Sequence, residues 1–110
     1  MAEETVIIRR TPASFAYLFW LSGVRRGEHA SLDPSGTTVG RGGESAVIVD
    51  DATVSIEQSR LRIEDGAWFL YDLAATNATS VAGQPVHRHQ LKDGDRITFG
   101  ETEMVFRVLS

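Results

Sequence analysis

The chain contains 110 residues, of which 42% are hydrophobic, and it carries a formal net charge of -4 and no cysteine. This length suits one domain with one hydrophobic core, and the apolar fraction argues against disorder over most of the chain. The absence of cysteine excludes a disulfide framework, a thiol nucleophile and cysteine-ligated zinc, and it fits a reducing compartment. The negative charge argues against non-specific nucleic-acid binding, which depends on neutralising phosphates.

The N-terminal region gives no indication of a leader or a membrane anchor. The first ten residues, MAEETVIIRR, are acidic and then basic, which is the wrong order for a secretory leader. The longest apolar run, at residues 16–24, has nine residues, whereas a membrane-spanning helix needs about 20. We therefore expect a cytoplasmic protein with no membrane partner. Residues 1–15 are expected to form a flexible arm, and residues 16–110 a single domain.

Short β-forming runs, each closed by turn residues, follow the arm. They predict ten strands, at residues 16–24, 28–32, 37–41, 46–49, 59–64, 67–73, 80–81, 85–87, 96–99 and 103–109. The clearest strand is SRLRIE, where Leu61 and Ile63 alternate with charged residues, as in a strand with one solvated face. No window shows the i, i+3, i+4, i+7 spacing of an amphipathic helix. We therefore expect an all-β fold, a two-sheet antiparallel β-sandwich of about ten to eleven short strands.

Two dipeptides are expected to close hairpins. Asp65-Gly66 favours a type I′ turn, in which both central residues have positive φ. Gly100-Glu101 is expected to join the last two strands. Core or inter-sheet packing is expected for seven large apolar residues, namely Phe19, Trp20, Trp68, Phe69, Ile97, Phe99 and Phe106.

Five short motifs follow one another between residues 40 and 95. They are Gly40-Arg41, SIEQ at residues 55–58, DLAATNAT at residues 72–79, Ala82-Gly83 and LKDGD at residues 91–95. In this order they resemble the forkhead-associated (FHA) domain, a phosphothreonine-peptide binding module. The family pattern is Gly-Arg, Ser-x-x-His, Asp-Leu-Gly-Ser-x-Asn-Gly-Thr, an Asn-Gly hairpin and Leu-x-x-Gly-Asp. The resemblance covers about residues 16–109 and implies an FHA/SMAD-like sandwich.

A phosphothreonine carries a charge of about -1.5 to -2 and three strong acceptor oxygens. Its site therefore needs fixed donors, and the planar fork of arginine supplies them well. The resemblance implies that Arg41 and Ser55 contact the phosphate. It also implies that Thr76 shapes the pocket and that Asn77 contacts the backbone of the bound peptide. The implied function is phosphopeptide recognition in kinase-dependent signal transduction or regulated assembly, with a threonine-phosphorylated protein or peptide as partner and no cofactor.

The chain departs from the family pattern at several positions. Gln58 stands where the family has a histidine that braces the binding loops, and it can replace part of that hydrogen bonding. Ala78 replaces the turn glycine, so either the turn has another shape or it carries strain of about 1 kcal/mol or more. Ala82 replaces the hairpin asparagine, and Ile56 and Glu57 occupy positions that are often basic. A carboxylate beside the phosphate weakens binding unless it points away.

Two other interpretations stay open. The departures motivate a first alternative, a degenerate FHA domain that binds an unmodified protein surface independently of phosphorylation. The second alternative is a small hydrolase. No catalytic set of residues stands out, so we expect that the chain is not an enzyme. His87 and His89 lie two residues apart, but two imidazoles alone rarely hold a metal, and we expect no metal site.

Thr5 is a candidate phosphorylation site in the expected arm. An aliphatic residue, Ile8, stands third after it, and the resemblance associates that spacing with one class of FHA ligand. Some members of the family carry a phosphorylatable threonine in an arm that binds their own domain. The resemblance therefore implies a Ser/Thr kinase and the N-terminal arm itself as further partners.

Overall fold

The computed structural model describes residues 15–109, which form a sandwich of two β-sheets. Thr5 and the first fourteen residues of the expected arm lie outside the described residues. The eleven strands are β1 (Ala16–Trp20), β2 (His29–Ser31), β3 (Thr37–Gly40), β4 (Val47–Ile48), β5 (Ser59–Glu64), β6 (Ala67–Asp72), β7 (Ser80–Val81), β8 (Gln84–Pro85), β9 (Arg88–Gln90), β10 (Arg96–Phe99) and β11 (Thr102–Val108). The predicted all-β class is confirmed. Within residues 15–109, no helix has the length and apolar character needed to cross a bilayer.

One sheet has six strands in the order β2-β1-β11-β10-β7-β8, and the other has five in the order β4-β3-β5-β6-β9. The strand pairs between described residues are antiparallel, with one exception that departs from the prediction. Strands β3 and β4 are parallel, with Val39 opposite Val47 and Gly40 opposite Ile48. The loop at residues 41–46 reverses the chain so that Val47 lies beside Val39. From Val47, β4 runs in the same direction as β3.

The core lies between the inner faces of the two sheets, and strand alternation selects its members. In β1, Ala16, Leu18 and Trp20 are buried, whereas Tyr17 and Phe19 are half-buried on the outer face. Adjacent residues of a strand point to opposite faces of the sheet. The burial of Trp20 therefore places its neighbour Phe19 outside the core.

Five of the seven large apolar residues expected in the core are buried there, namely Trp20, Trp68, Ile97, Phe99 and Phe106. The expectation is wrong for Phe19 and Phe69, which are half-buried on the outer faces of their strands. The ring of Phe19 lies 5.2 Å from the ring of His29, measured between centroids. The guanidinium carbon of Arg88 lies 4.1 Å from the centre of the Phe69 ring, a cation–π contact that covers the exposed aromatic face.

The segment after β7 changes sheets. Strand β8 pairs with β7 in the six-stranded sheet, whereas β9 pairs with β6 in the five-stranded sheet. The predicted strand at residues 85–87 is therefore wrong, because Val86 and His87 form the crossing between the two sheets. The N–H of Val86 donates to the carbonyl of Thr79 at 2.9 Å, and the carbonyl of His87 accepts from the N–H of Asp72 at 2.9 Å. These bonds pair the backbone where the regular ladder is interrupted.

The two predicted hairpins are confirmed, and their turns differ in type. Asp65 and Gly66 have φ values of 52° and 82°, as the type I′ turn between β5 and β6 requires. Between β10 and β11, Gly100 has a φ of 58° whereas Glu101 is not among the positive-φ residues. A single positive φ at the first central residue is typical of a type II′ turn.

Two alanines occupy the backbone region that favours glycine. Ala74, in the loop after β6, has a φ of 57°, and Ala82, in the β7–β8 turn, has a φ of 50°. An alanine with left-handed backbone costs about 1–2 kcal/mol. The sequence left two alternatives for Ala78, a turn of another shape or a strained backbone. Ala78 is not among the positive-φ residues, so the turn has another shape.

Glycine at position 74 or 82 is expected to raise the free energy of unfolding by about 0.5–1 kcal/mol, because the relief of left-handed strain exceeds the entropic cost of glycine. Urea unfolding of Ala74→Gly and Ala82→Gly measures this gain. Ala78→Gly is the matched control and is expected to lower stability, since it relieves no strain and adds freedom to the unfolded chain. Equal stabilisation by all three substitutions would contradict the assignment.

The described chain begins and ends at one end of the sandwich. The N–H of Leu109 donates to the carbonyl of Phe15 at 2.8 Å. Strand β11 starts at the other end, beside the β10–β11 turn, where the N–H of Glu101 donates to the hydroxyl of Thr53 at 2.9 Å. The loop that contains Thr53 belongs to the group of loops described next.

Candidate functional site

Three loops meet at the end of the sandwich near the β10–β11 turn. They follow β3, β4 and β6, and hydrogen bonds of backbone and side-chain groups join them. The N–H of Arg41 donates to the carbonyl of Ser55 at 2.9 Å, and the N–H of Thr76 donates to the Ser55 hydroxyl at 3.0 Å. The side-chain amide of Asn77 donates to the carbonyl of Thr53 at 2.8 Å. The four site residues predicted from the sequence therefore lie together.

Arg41 presents an oriented guanidinium at this end that forms no ion pair with another described residue. Its Nε donates to the carbonyl of the buried Val54 at 2.9 Å, while the residue as a whole is exposed. Ion pairs between described residues engage five other arginines, Arg25, Arg62, Arg88, Arg96 and Arg107, and do not include Arg41. One nitrogen is therefore fixed to the backbone, and the two terminal nitrogens can form a fork of donors for an anion.

Ser55 and Asn77 retain hydrogen-bonding capacity after their contacts within the protein. The Ser55 hydroxyl oxygen accepts from Thr76, so its own hydrogen can be donated to a ligand. The side chain of Asn77 uses one N–H on Thr53, which leaves a second N–H and the carbonyl oxygen. Thr76 and Asn77 are exposed. Together with Arg41 they provide the donors that a phosphate needs and an amide that can pair with a peptide backbone.

Gln58 braces the loops from beneath and is fully buried. Its side-chain oxygen accepts from the N–H of Ser55 at 2.9 Å. Its side-chain nitrogen donates to the carbonyl of Asn77 at 2.8 Å and to the hydroxyl of Thr79 at 3.0 Å. One side chain thus joins the loop of Ser55 to the loop of Asn77. A glutamine performs at this position the bracing that the resemblance assigns to histidine.

Asp72 holds the loop of Thr76 and Asn77 from its other side. One carboxylate oxygen accepts from the N–H of Thr79 at 3.0 Å and from the Thr79 hydroxyl at 2.7 Å. The other oxygen accepts from the N–H of Ala75 at 3.2 Å. This loop is therefore tied at both ends to the carboxylate that terminates β6.

Asp51 anchors the loop that contains Thr53, a contribution that the sequence analysis missed. Its carboxylate accepts from the Thr53 hydroxyl at 2.6 Å, from the Thr53 N–H at 2.8 Å and from the Thr102 hydroxyl at 2.7 Å. The spacing Asp51-x-Thr53 is typical of a turn in which aspartate binds the backbone two residues on. This local pattern could have predicted the contact with Thr53. No pattern in the sequence indicated the contact with Thr102.

The stability that Asp51 contributes is expected to decline in acid. The hydrogen bond from the Thr53 hydroxyl is the largest cause that holds the pKa of Asp51 below its ordinary value of 3.8, and burial opposes it. A carboxyl whose pKa is lower in the folded state stabilises the fold above its unfolded pKa, and this stabilisation is lost as the pH falls through the folded pKa.

Asp51→Asn is therefore expected to lower the free energy of unfolding at neutral pH, and the difference from the unsubstituted chain should shrink as the pH falls below about 4. Urea unfolding of both proteins across this range measures the difference. A difference that stays constant with pH would contradict the role of the ionised carboxylate.

The two histidines do not form a metal site with other side chains of the described region. His87 is exposed and precedes β9, whereas His89 lies within β9 with its Nε2 at 3.4 Å from a carboxylate oxygen of Asp95. Within residues 15–109, no group of three or more His, Cys, Asp or Glu side chains could hold a metal ion.

Comparisons with known proteins converge on one family. The model of the FHA domain family matches residues 37–100. An oxoglutarate dehydrogenase inhibitor from Corynebacterium efficiens is 36% identical over 95 residues, which cover 86% of this chain and 67% of that protein. The glycogen accumulation regulator GarA of Mycolicibacterium smegmatis is 33% identical over 95 residues, which cover 86% of this chain and 60% of that protein. The chain thus spans about two thirds of the length of these relatives or less.

A solved FHA domain, studied for phosphothreonine-dependent interactions, superposes with a TM-score of 0.78 at 31% identity, covering 84% of this chain and 95% of that domain. Both curated relatives carry the names of regulators, an inhibitor of a dehydrogenase and a regulator of glycogen accumulation. These names agree with the prediction that the chain is not an enzyme.

Proposed function

The chain belongs to the FHA-domain family of phosphothreonine-binding modules, and we propose that Arg41, Ser55, Thr76 and Asn77 form its peptide site. Arg41 receives the phosphate on its terminal nitrogens, and Ser55 donates its hydroxyl hydrogen. Thr76 forms a wall of the pocket for the threonine methyl group. Asn77 pairs with the backbone of the bound peptide.

One observation carries this assignment. The Arg41 guanidinium is held by the carbonyl of Val54 at 2.9 Å, is exposed, and has no carboxylate partner among residues 15–109. The hydrogen bond to the Val54 carbonyl restricts the orientation of the Arg41 guanidinium before a ligand binds. An oriented donor fork loses less entropy when it binds an anion.

The test is an oriented phosphothreonine peptide library, probed with the purified chain beside an unphosphorylated library of the same sequences. We expect phosphate-dependent binding in the micromolar range, where 1 μM corresponds to about -8 kcal/mol. Equal binding of both libraries would overturn the assignment and favour the degenerate domain that binds an unmodified surface. If a partner is still pulled down after phosphatase treatment, this would also favour the degenerate domain.

The partner is a protein phosphorylated on threonine, which places the domain downstream of a Ser/Thr kinase, in signalling or regulated assembly. The relatives that bear regulatory names support this role. A cytoplasmic location fits such a kinase-dependent function and the absence of cysteine.

The arm at residues 1–15 supplies a second ligand for the same site, in which phosphorylated Thr5 binds the domain of its own chain. Thr5 precedes Phe15 by ten residues, which can extend over about 35 Å. The seven residues of β11 extend over about 23 Å along the sandwich. The arm is therefore long enough to run from Phe15 to the loops at the other end.

Mass spectrometry after treatment with threonine kinases tests whether Thr5 is modified. If it is, the phosphorylated chain should bind an added phosphopeptide more weakly than the unmodified chain, because the arm competes for the site. No phosphate on Thr5 with any kinase tried, or unchanged peptide affinity after its phosphorylation, would overturn this proposal and leave the peptide site intact.

A further inference from the structure

A pocket of about 220 Å³ opens beside the proposed phosphate site. One of its walls comes from the loop after β3, with Gly42, Gly43 and Glu44, and another comes from the loop after β4, with Ile56 and Glu57. None of these side chains has a role in the site described above. The pocket is therefore a separate feature of the same two loops.

Two residues that line the pocket, Gly42 and Ile56, directly follow Arg41 and Ser55 in the chain. The N–H of Arg41 donates to the carbonyl of Ser55 at 2.9 Å, and the N–H of the next residue, Gly42, donates to the carbonyl of Ile56 at 3.2 Å. Part of the pocket lining therefore lies one residue along the backbone from the two proposed phosphate contacts. An extended peptide advances about 3.3 Å per residue. A side chain within about three residues of the phosphothreonine can therefore enter the pocket.

Its charge is negative and uncompensated. Glu44 and Glu57 are both exposed, and neither takes part in an ion pair between described residues. A negative pocket directly beside a site for a dianion is unfavourable to that dianion unless the ligand also brings positive charge. The complementary ligand group is a cation.

The apolar surface of the pocket fits the stem of a long basic side chain. Ile56 is 59% exposed, and it lies over Gly42, where an added Cβ atom would come within 2.6 Å of its Cγ2 atom. Glycine at this position thus allows the isoleucine to form the floor. Lysine and arginine bury their methylene stems on apolar surfaces and keep the charged group near polar partners.

We propose that this pocket binds a lysine or arginine side chain of the ligand, located within about three residues of the phosphothreonine. The domain therefore prefers basic phosphothreonine motifs. The inference rests on the proposed phosphopeptide site, and it assigns Glu44 and Glu57 as specificity-determining residues.

The test is a scan in which lysine, glutamine or norleucine occupies each of the three positions on either side of phosphothreonine in one peptide. At one position, lysine should bind about two- to fivefold more tightly than glutamine, as expected for partly exposed ion pairs. The preference should weaken at high salt. Glu44→Gln/Glu57→Gln should abolish it, and Glu44→Lys/Glu57→Lys should transfer it to a peptide with glutamate at that position. Glu28→Gln, outside the pocket, is the control and should leave the preference unchanged.

The outcomes separate the two proposals. Phosphate-dependent binding with no lysine preference at any position would overturn the basic-motif inference and keep the peptide site. Norleucine that binds as tightly as lysine would identify an apolar pocket and also overturn it. A lysine preference that survives the double glutamine substitution would exclude Glu44 and Glu57 as its origin. Binding that is independent of phosphate would overturn the proposed function itself.

Discussion

Phosphopeptide affinity is expected to fall by about 2–4 kcal/mol in the Arg41→Ala variant, because hydrogen bonds between ionised partners are the strongest of their kind. At 1.4 kcal/mol for each factor of ten, this is a loss of about 30- to 700-fold. The fold should remain intact, since Arg41 is exposed and its side-chain hydrogen bond within residues 15–109 is the one to Val54. Calorimetric titration with a phosphothreonine peptide measures the affinity, and urea unfolding measures the stability.

Two variants control for charge alone. Lys92→Ala removes one positive charge from the exposed turn between β9 and β10, at the end of the sandwich away from the loops, and should leave the affinity nearly unchanged. Arg41→Lys keeps the charge but loses the planar fork, so it should bind with intermediate affinity. If Arg41→Ala retains full affinity, the guanidinium does not receive the phosphate.

The Gln58→Leu variant is expected to lose about 2–4 kcal/mol of unfolding free energy, because two backbone groups lose their partners at a cost of about 1–3 kcal/mol each. These groups are the N–H of Ser55 and the carbonyl of Asn77. Leucine has a similar size, so the effect reports hydrogen bonding more than packing. Affinity for a phosphopeptide should also fall, by about tenfold, since both loops lose their preorganised geometry.

Gln58→Glu separates the two halves of this brace. The carboxylate can still accept from the N–H of Ser55, but at neutral pH it cannot donate to the carbonyl of Asn77. The Gln58→Glu variant should therefore have a lower free energy of unfolding at neutral pH. Part of this loss should be recovered in acid, where protonation of the carboxylate restores a hydrogen-bond donor. Urea unfolding at both pH values and a peptide titration at neutral pH provide the measurements. Full stability and affinity in Gln58→Leu would show that the loops hold together without the glutamine.

The parts of the fold that could be predicted are those in which a few neighbouring residues determine the local backbone structure. Asp65-Gly66 stands between two alternating runs, and a positive φ at both residues leaves little choice of turn. The crossing at Val86 and His87 had no such local signal, because the change of sheet depends on the pairing of His87 with Asp72, fifteen residues earlier in the chain. The parallel pairing of β4 was hidden for a similar reason, since a two-residue strand carries almost no pattern.

The residues of the site could be predicted from the sequence, whereas the contacts that orient them could not. The order of the motifs led to Arg41, Ser55, Thr76 and Asn77, and the structure brings these residues together. What orients Arg41 and Asn77 could not be predicted, because their partners are the backbone carbonyls of Val54 and Thr53. Any amino acid presents a carbonyl, so no residue type reveals it. The strained backbone of Ala74 was equally hidden, because alanine itself favours no turn.

The hydrogen bond between Leu109 and Phe15 has a consequence for engineering. Phe15 and Leu109, the first and last described residues, are neighbours, and both lie at the end of the sandwich away from Arg41. The sandwich can therefore be inserted into a surface turn of an unrelated carrier with little separation of that turn's flanks. A circular permutant that joins these two residues by a short glycine-rich bridge, and opens the exposed Ala82-Gly83 turn instead, should keep its recognition loops facing solvent.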